Sequence, residues 1–238
     1  MRNTYSSKVA KPPTKISAVL LLAGKCRALS EYGPKSLLRV GPETLIERQI
    51  RILRALPGID EIWAVVGHHK ELLRGPTGGI RVVEHDDFEK TGVNKSVGLA
   101  LRACPADNLL IIYGDLVFDG HVFDDIVANP EKSFLLYDKE KRIHYSKTGM
   151  VIQNNVVSHL TYGIEPKWGQ LGYISSANMA NFRDVVYNSE GENLSGCQLI
   201  NKTIEKGCTY FGTSPAVANF TEVDAMKHIT QFLKRGNS

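Results

Sequence analysis

Only four cysteines occur in the chain, Cys26, Cys104, Cys197 and Cys208, and no two of them form a CxxC pair. That spacing excludes a paired-cysteine zinc site and a dense disulfide framework, and free thiols in a reducing cytosol are the expectation. Long hydrophobic runs are lacking as well. The apolar stretch at residues 16–23 follows a basic start and looks superficially like a signal peptide, but it falls far short of the ~20 residues needed to cross a bilayer. Lys25 separates the small residues from Cys26 in LLAGKC, which breaks a lipobox. A buried first strand is the expectation for this stretch, in a soluble, cytoplasmic chain without a membrane partner. No run of five or more basic residues occurs, so a nucleic-acid groove is not implied, and internal repeats and low-complexity segments are absent. The formal net charge of +4 sits partly in the two ends, and it suits an anionic small substrate.

What is present is the composition of an ordinary soluble globular protein: 238 residues, 42% hydrophobic and 23% charged. Residues 1–15 are polar, contain Pro12–Pro13 and lack periodicity, and are expected to form a flexible tail ahead of a single domain over residues 16–238. From residue 16 strands and helices alternate. ISAVLLLA predicts a strand covered on both faces, residues 43–56 a helix, EIWAVVG and IRVVEH two further strands, 94–103 a helix and NLLIIYG a fourth strand. This alternation implies a parallel α/β sheet whose ligands sit beyond the carboxyl ends of the strands. Gly24–Arg27, Gly67–His69 and Gly114–Asp115 then share one rim. After Asp119 the pattern loosens into SFLLYD, GMVIQNN and VVSHL, a more antiparallel half. Helices at 177–187 and 194–206, strands near TYFG and AVANF, and a last helix from Glu222 complete it.

The sharpest segment is LLAGKCRALSEYGPKSLLRV. A strand ends at Ala23, Gly24 allows a turn, and backbone N–H groups of the loop from Leu22 through Lys25 then suit phosphate oxygens. Arg27 can fork onto phosphates, and Lys35 brings a point charge from the far side of the loop. A plain surface turn with basic side chains is the competing reading. Asp115, directly after the strand IIYG, is placed either to coordinate Mg²⁺ or to form a turn.

This segment resembles the L-A-A-G-x-G-x-R…P-K-x-L signature of the sugar-phosphate and phosphocholine nucleotidyltransferases. Leu22, Ala23, Gly24 and Arg27 match its first part, and Pro34, Lys35 and Leu37 its second. Arg27 follows Gly24 by three positions rather than four, and Cys26 stands where the second glycine is missing. The resemblance implies a Rossmann-like, GT-A-like three-layer α/β sandwich with a mixed, mainly parallel sheet, of the MobA-like NTP transferase kind. It makes Asp115, in a G-D motif after Gly114, one metal ligand. NFTEVDAMKHI is similar to the family's W-x-E-I-D, which makes Asp224 the second, the alternative being a capping box from Thr221. VVGHH resembles a V-V-G-Y segment in which Gly67 lets backbone approach the base, while His68 and His69 read as exposed loop residues. The stretch before LA at 99–100 is similar to T-N-N-I-Y-S-L of the phosphocholine branch, so Thr91, Asn94 and Ser96 contact base or ribose, or cap a helix. WGQLGYISSANM resembles the segment beside the acceptor, with Gly172 and Tyr173 as candidates unless Tyr173 is a core tyrosine. Lys147 and Lys167 either meet the acceptor phosphate or are solvated.

The implied reaction joins an NTP, CTP favoured, to a phosphocholine-like or sugar-phosphate acceptor with Mg²⁺ and release of pyrophosphate. Arg27, Lys35 and Asp115 carry the catalysis. A metal-dependent glycosyltransferase and an inactive nucleotide-binding regulator are the alternatives, although the spacing of Asp115 and Asp119 fits D-x-D poorly. A homodimer is left open.

Overall fold

The computed structural model describes residues 15–25, 33–139 and 144–236. Residues 1–14, expected to be a tail, and Cys26 and Arg27 lie outside the described residues. Strand β1 (Ile16–Leu22) is the centre of the parallel half, with β4 (Ile59–Val66) on one side and β6 (Asn108–Tyr113) on the other. The strand β5 (Arg81–Glu84) extends this half beyond β4, again in parallel. Strands buried on both faces need apolar residues at every position, which is why ISAVLLL and NLLIIY read as continuous runs. Ile16, Ala18, Leu20 and Leu22 face one core layer and Val19 the other. Leu110 and Ile112 alternate with Leu109 and Ile111 in the same way.

The first layer is closed by α1 (Leu45–Ala55), which presents Ile46, Ile50 and Leu53. Its start is fixed by a capping box, with Glu47 N donating to Thr44 Oγ1 and Thr44 N donating to the Glu47 carboxylate. Two short helices, α2 (Lys70–Leu73) and α4 (Asp124–Ala128), add Leu73 and Ile126. The opposite layer holds α3 (Val93–Ala103), α5 (Ser176–Asn188) and α6 (Gly196–Glu205). The result is a three-layer α/β sandwich.

The second half joins the same sheet. Strands β8 (Ser133–Asp138), β9 (Thr148–Gln153), β10 (Val156–Tyr162), β11 (Lys167–Ile174) and β12 (Tyr210–Thr213) continue it in the order β5-β4-β1-β6-β11-β8-β12-β10-β9. Parallel pairing runs through β5-β4-β1-β6 and recurs at β8–β12. The remaining pairs, β6–β11 included, are antiparallel, so the sheet is mixed. These nine strands of the described residues form one continuous sheet.

Three small strands go beyond the sequence expectations, and a fourth, from Phe220, lies next to the strand expected near AVANF. Strands β2 (Arg39–Val40) and β3 (Glu43–Thr44) form a hairpin ahead of α1. Strands β7 (Leu116–Phe118) and β13 (Phe220–Glu222) form an antiparallel ribbon with Glu222 opposite Leu116. That ribbon corrects two expectations. AVANF is a strand only from Phe220, and the last helix, α7 (Met226–Arg235), begins four residues after Glu222 rather than at it. Thr221 therefore lies in a strand, the N-cap of α7 is Ala225, and Asp224 completes no capping box.

One close approach fixes the entrance of α3. A Cβ on Gly92 would sit 2.2 Å from Leu194 O and 2.5 Å from Leu194 N, so the chain before α6 lies directly on the start of α3. Gly92→Ala is expected to cost about 2–3 kcal/mol, because backbone must move to admit the methyl group. Urea unfolding monitored by circular dichroism measures it.

Candidate active site

The carboxyl ends of β1, β4 and β6 form one rim, and backbone bonds stitch their loops together there: His68 N donates to Ala23 O (3.1 Å) and Gly114 N to Leu21 O (3.0 Å). Above the rim opens a cavity of about 410 Å³. Its wall includes Leu22, Ala23, Gly24 and Lys25 after β1, Lys35 and Ser36, and Gly114 and Asp115 after β6. A Cβ on Gly24 would meet no atom of the described residues within 4 Å, so among these the backbone is uncovered on its Cβ side. Lys25 is exposed and pairs with Glu89 at 3.5 Å.

Lys35 starts a short 3-10 helix after Pro34, and this turn carries its side chain inward. Its Nζ donates to Asp115 Oδ2 (3.1 Å) and to Asp224 Oδ1 (3.2 Å). Asp224 reaches the site because Val223 N donates to Asp115 O (2.8 Å), which extends the β7–β13 ribbon past Glu222. The same ribbon brings in Glu222, and carboxylate oxygens of Asp115, Glu222 and Asp224 lie within 4.8 Å of one another. Lys147 donates to Asp224 Oδ2 and, at 2.7 Å, to Glu222 Oε1. Lys167 Nζ stands 3.3 Å from Glu222 Oε2. Three carboxylates and three ammonium groups thus interlock, and Lys35 and Asp115 of this set line the cavity.

The electrostatics follow from burial against pairing. Burial pushes the Asp115 carboxyl above the usual carboxylate range even though Lys35 opposes the shift. Burial acts in the same direction on Asp224, but there the hydrogen bond and charge of Lys147, with those of Lys35, win and hold it below that range. For Lys35 burial disfavours the charge, and the two aspartates outweigh it, so the ammonium group stays protonated well above the ordinary lysine range.

Three carboxylates so close together are a hard-oxygen donor set of the kind Mg²⁺ or Mn²⁺ takes. Among the described residues the buried Glu222 Oε2 accepts no hydrogen bond, the salt-bridge contact with Lys167 being off the hydrogen-bonding direction. An oxygen left so is suited to a cation, and the residues present fit a divalent metal.

The structure departs from several sequence expectations. Asn94 does not reach base or ribose: it is wholly buried, its amide donates to Ser189 O (2.6 Å) and Glu192 O (2.9 Å), and its Oδ1 accepts from Leu194 N. Tyr173 is a core residue whose hydroxyl donates to Pro130 O at 2.7 Å. Gly172 sits mid-strand between Ile111 and Leu135. The reason is strand direction. Because β11 runs antiparallel to β6, its end is remote from the rim and its beginning, Lys167, reaches it. Gly67 does not line the cavity; a Cβ there would meet the Phe88 ring at 2.8 Å and Ala23 O at 2.9 Å, so its role is to let β4 pack beneath the β1 loop. Asp119 is no partner of Asp115 in a D-x-D-like site, since its carboxylate accepts from His121 N and Asn219 N.

Ser96 and Thr91 do line the cavity, held by a residue that sequence reading missed. His85, also on the wall, places Nδ1 2.8 Å from Ser96 Oγ and Nε2 2.7 Å from Thr91 Oγ1. Glu222 was missed too, although it is the glutamate of the same TEVD segment that supplied Asp224.

Burial lowers the His85 pKa, so the folded protein resists protonation there while the unfolded chain takes up a proton near pH 6.5. Stability is then complete above about pH 6.5 and is lost as pH falls below it, by up to about 1.4 kcal/mol per pH unit until the depressed folded value is reached. His85→Gln is expected to flatten this acid limb, which urea midpoints between neutral and mildly acidic pH will show.

The chain is similar to several known proteins. A stretch of 95 residues, 38% of the chain, is 41% identical to the bifunctional IPC transferase and DIPP synthase of Rubrobacter xylanophilus and covers 22% of that protein. The chain spans about a quarter or less of the length of the curated relatives it matches. Among solved structures, the inositol-1-phosphate CTP transferase from T. maritima superposes with a TM-score of 0.72 at 16% identity, over 94% of this chain and 98% of that one. The CTP:phosphocholine cytidylyltransferase from Streptococcus pneumoniae does so with a TM-score of 0.71 at 18% identity, over 94% and 100%. Residues 18–161, more than half of the sequence and including most of β1, the described cavity wall and Asp115, match the family model, and the chain belongs to the MobA-like NTP transferase domain family.

Proposed function

We propose that the chain is a nucleotidyltransferase that joins an NTP, CTP favoured, to a small phosphorylated acceptor of the phosphocholine or sugar-phosphate class and releases pyrophosphate. The observation that carries this reading is the cluster of Asp115, Glu222 and Asp224 interlocked with Lys35, Lys147 and Lys167, next to a cavity whose wall includes Gly24. A phosphorylated acceptor is already anionic at neutral pH, so the reaction needs alignment and charge compensation more than a base.

The loop from Leu22 through Lys25 and the Lys35 ammonium group hold the triphosphate on the β1 side of the cavity. Lys147 and Lys167 approach from the β9–β11 side and suit the acceptor phosphate. Asp115, Glu222 and Asp224 would hold the divalent ion, Mg²⁺ in this reading, which supplies further charge compensation at the α-phosphate when bound. Arg27 retains its proposed role on the phosphates. The preference for CTP is supported by the relatives named for CTP and cytidylyl transfer.

Pyrophosphate release, screened with four NTPs against phosphorylated small molecules, tests the proposal. Release that requires both an NTP and an acceptor is expected; transfer of sugar from a nucleotide sugar instead would favour a glycosyltransferase, and nucleotide binding without release an inactive regulator.

A further inference from the structure

On the side of β5 and α3 the described lining residues of the cavity include His85, Phe88, Thr91, Val93 and Ser96. His85 directly follows β5, three strand spacings or about 14 Å across the sheet from the end of β6. Phosphates gathered at Lys35 and Asp115 therefore leave the His85 side for the base, and the Phe88 ring on the same wall gives it a face to stack on.

The hydrogen bonds of this wall run in one direction. Thr91 Oγ1 donates its only proton to Asp87 O at 2.9 Å. It can then only accept from His85, 2.7 Å away, which places the imidazole proton on Nε2. His85 is 2% exposed, and burial favours its neutral form. A neutral ring protonated on Nε2 has a bare Nδ1, and that lone pair takes the proton of Ser96 Oγ at 2.8 Å. Ser96 Oγ is left with lone pairs and no proton to offer, on the wall of the cavity.

We propose that Ser96 Oγ, its proton committed to His85, is the acceptor that reads the base edge and selects a base with an exocyclic amine: cytosine over uracil among pyrimidines, adenine over guanine among purines. The proposal rests on the nucleotidyl-transfer reading above. An amine donates to the waiting lone pair, whereas a keto oxygen sets two acceptors against each other, and a site built around such a contact rejects the mismatched base strongly. Ser96 touches the nucleotide in this account; His85 is a positioning residue that orients the hydroxyl.

Calorimetric titration of the whole protein with CTP, UTP, ATP and GTP in the presence of Mg²⁺ and without acceptor tests this apart from turnover. CTP is expected to bind at least about tenfold more tightly than UTP, and ATP more tightly than GTP. Ser96→Ala is expected to bring the CTP-to-UTP ratio close to one. Ser96→Cys, which keeps the volume but offers a poor acceptor, is expected to do the same and guards against a folding defect in the first variant. Nitrogen NMR of the histidines is expected to show His85 protonated on Nε2. Equal binding of CTP and UTP, a ratio unmoved by both variants, or a proton on Nδ1 overturns base selection alone. Failure of all four nucleotides to bind removes the nucleotidyl-transfer reading with it.

Discussion

Asp115→Asn is expected to lower turnover by about a thousandfold or more while leaving the fold intact. The substitution keeps the shape of the side chain and removes only its negative charge. Lys35 still faces Asp224 at 3.2 Å and Lys147 still bridges Glu222 and Asp224, so the rest of the cluster remains paired. Asp115 is also the carboxyl that burial pushes upward, so its neutral counterpart is tolerated in the fold. The charge is needed when phosphates and a divalent ion converge at the cavity, which is when its loss is felt. Steady-state pyrophosphate release together with thermal unfolding separates the two effects. Turnover within tenfold of the parent would remove Asp115 from the chemistry.

The second large effect is expected from Lys35→Met. The Lys35 side chain is only 11% exposed and compensates two carboxylates at once. Removing it leaves Asp115 and Asp224 facing one another, and taking one partner from a buried ionic cluster costs about 3–5 kcal/mol. Because the site is partly open, and Lys147 still serves Asp224, the lower end of that range is expected. The uncompensated pair of acids is then expected to recruit a cation in place of the ammonium group. Urea midpoints in chelator and in millimolar Mg²⁺ measure this: the variant is expected to lose more stability than the parent in chelator and to regain more of it on adding Mg²⁺. A loss that Mg²⁺ does not reverse would show that the carboxylates do not bind the ion.

Sequence patterns showed the parallel half of this fold clearly, for physical reasons. β1 and β6 are covered on both faces and had to be apolar throughout, and α1 carries its capping box within four residues, Thr44 to Glu47. Lys35, Asp115 and Asp224 were placed as one site from three short motifs, and the structure brings their charged groups into contact. What remained hidden depended on distant pairing. Thr221 and Asp224 have the spacing of a helix start, yet Phe118, a hundred residues earlier, pairs with Phe220 and holds that segment as strand. Tyr173 ends an apolar strand as a rim residue would, but nothing local reveals that β11 runs against β6. Asn94 has the chemistry of a base contact and spends it on the backbone before α6. Glu222 was legible in TEVD, and only the ribbon shows that its carboxylate turns toward Asp115.

Phosphorus NMR of the products tests the central claim most directly. With CTP, Mg²⁺ and an acceptor that supports turnover, new coupled resonances of a phosphoanhydride between the nucleotide α-phosphorus and the acceptor phosphorus are expected, in step with pyrophosphate. Their absence from the Asp115→Asn reaction would tie the bond to the cluster at the rim. Free CMP with pyrophosphate, inorganic phosphate with CDP, or an acceptor phosphate that never changes its shift would contradict the account.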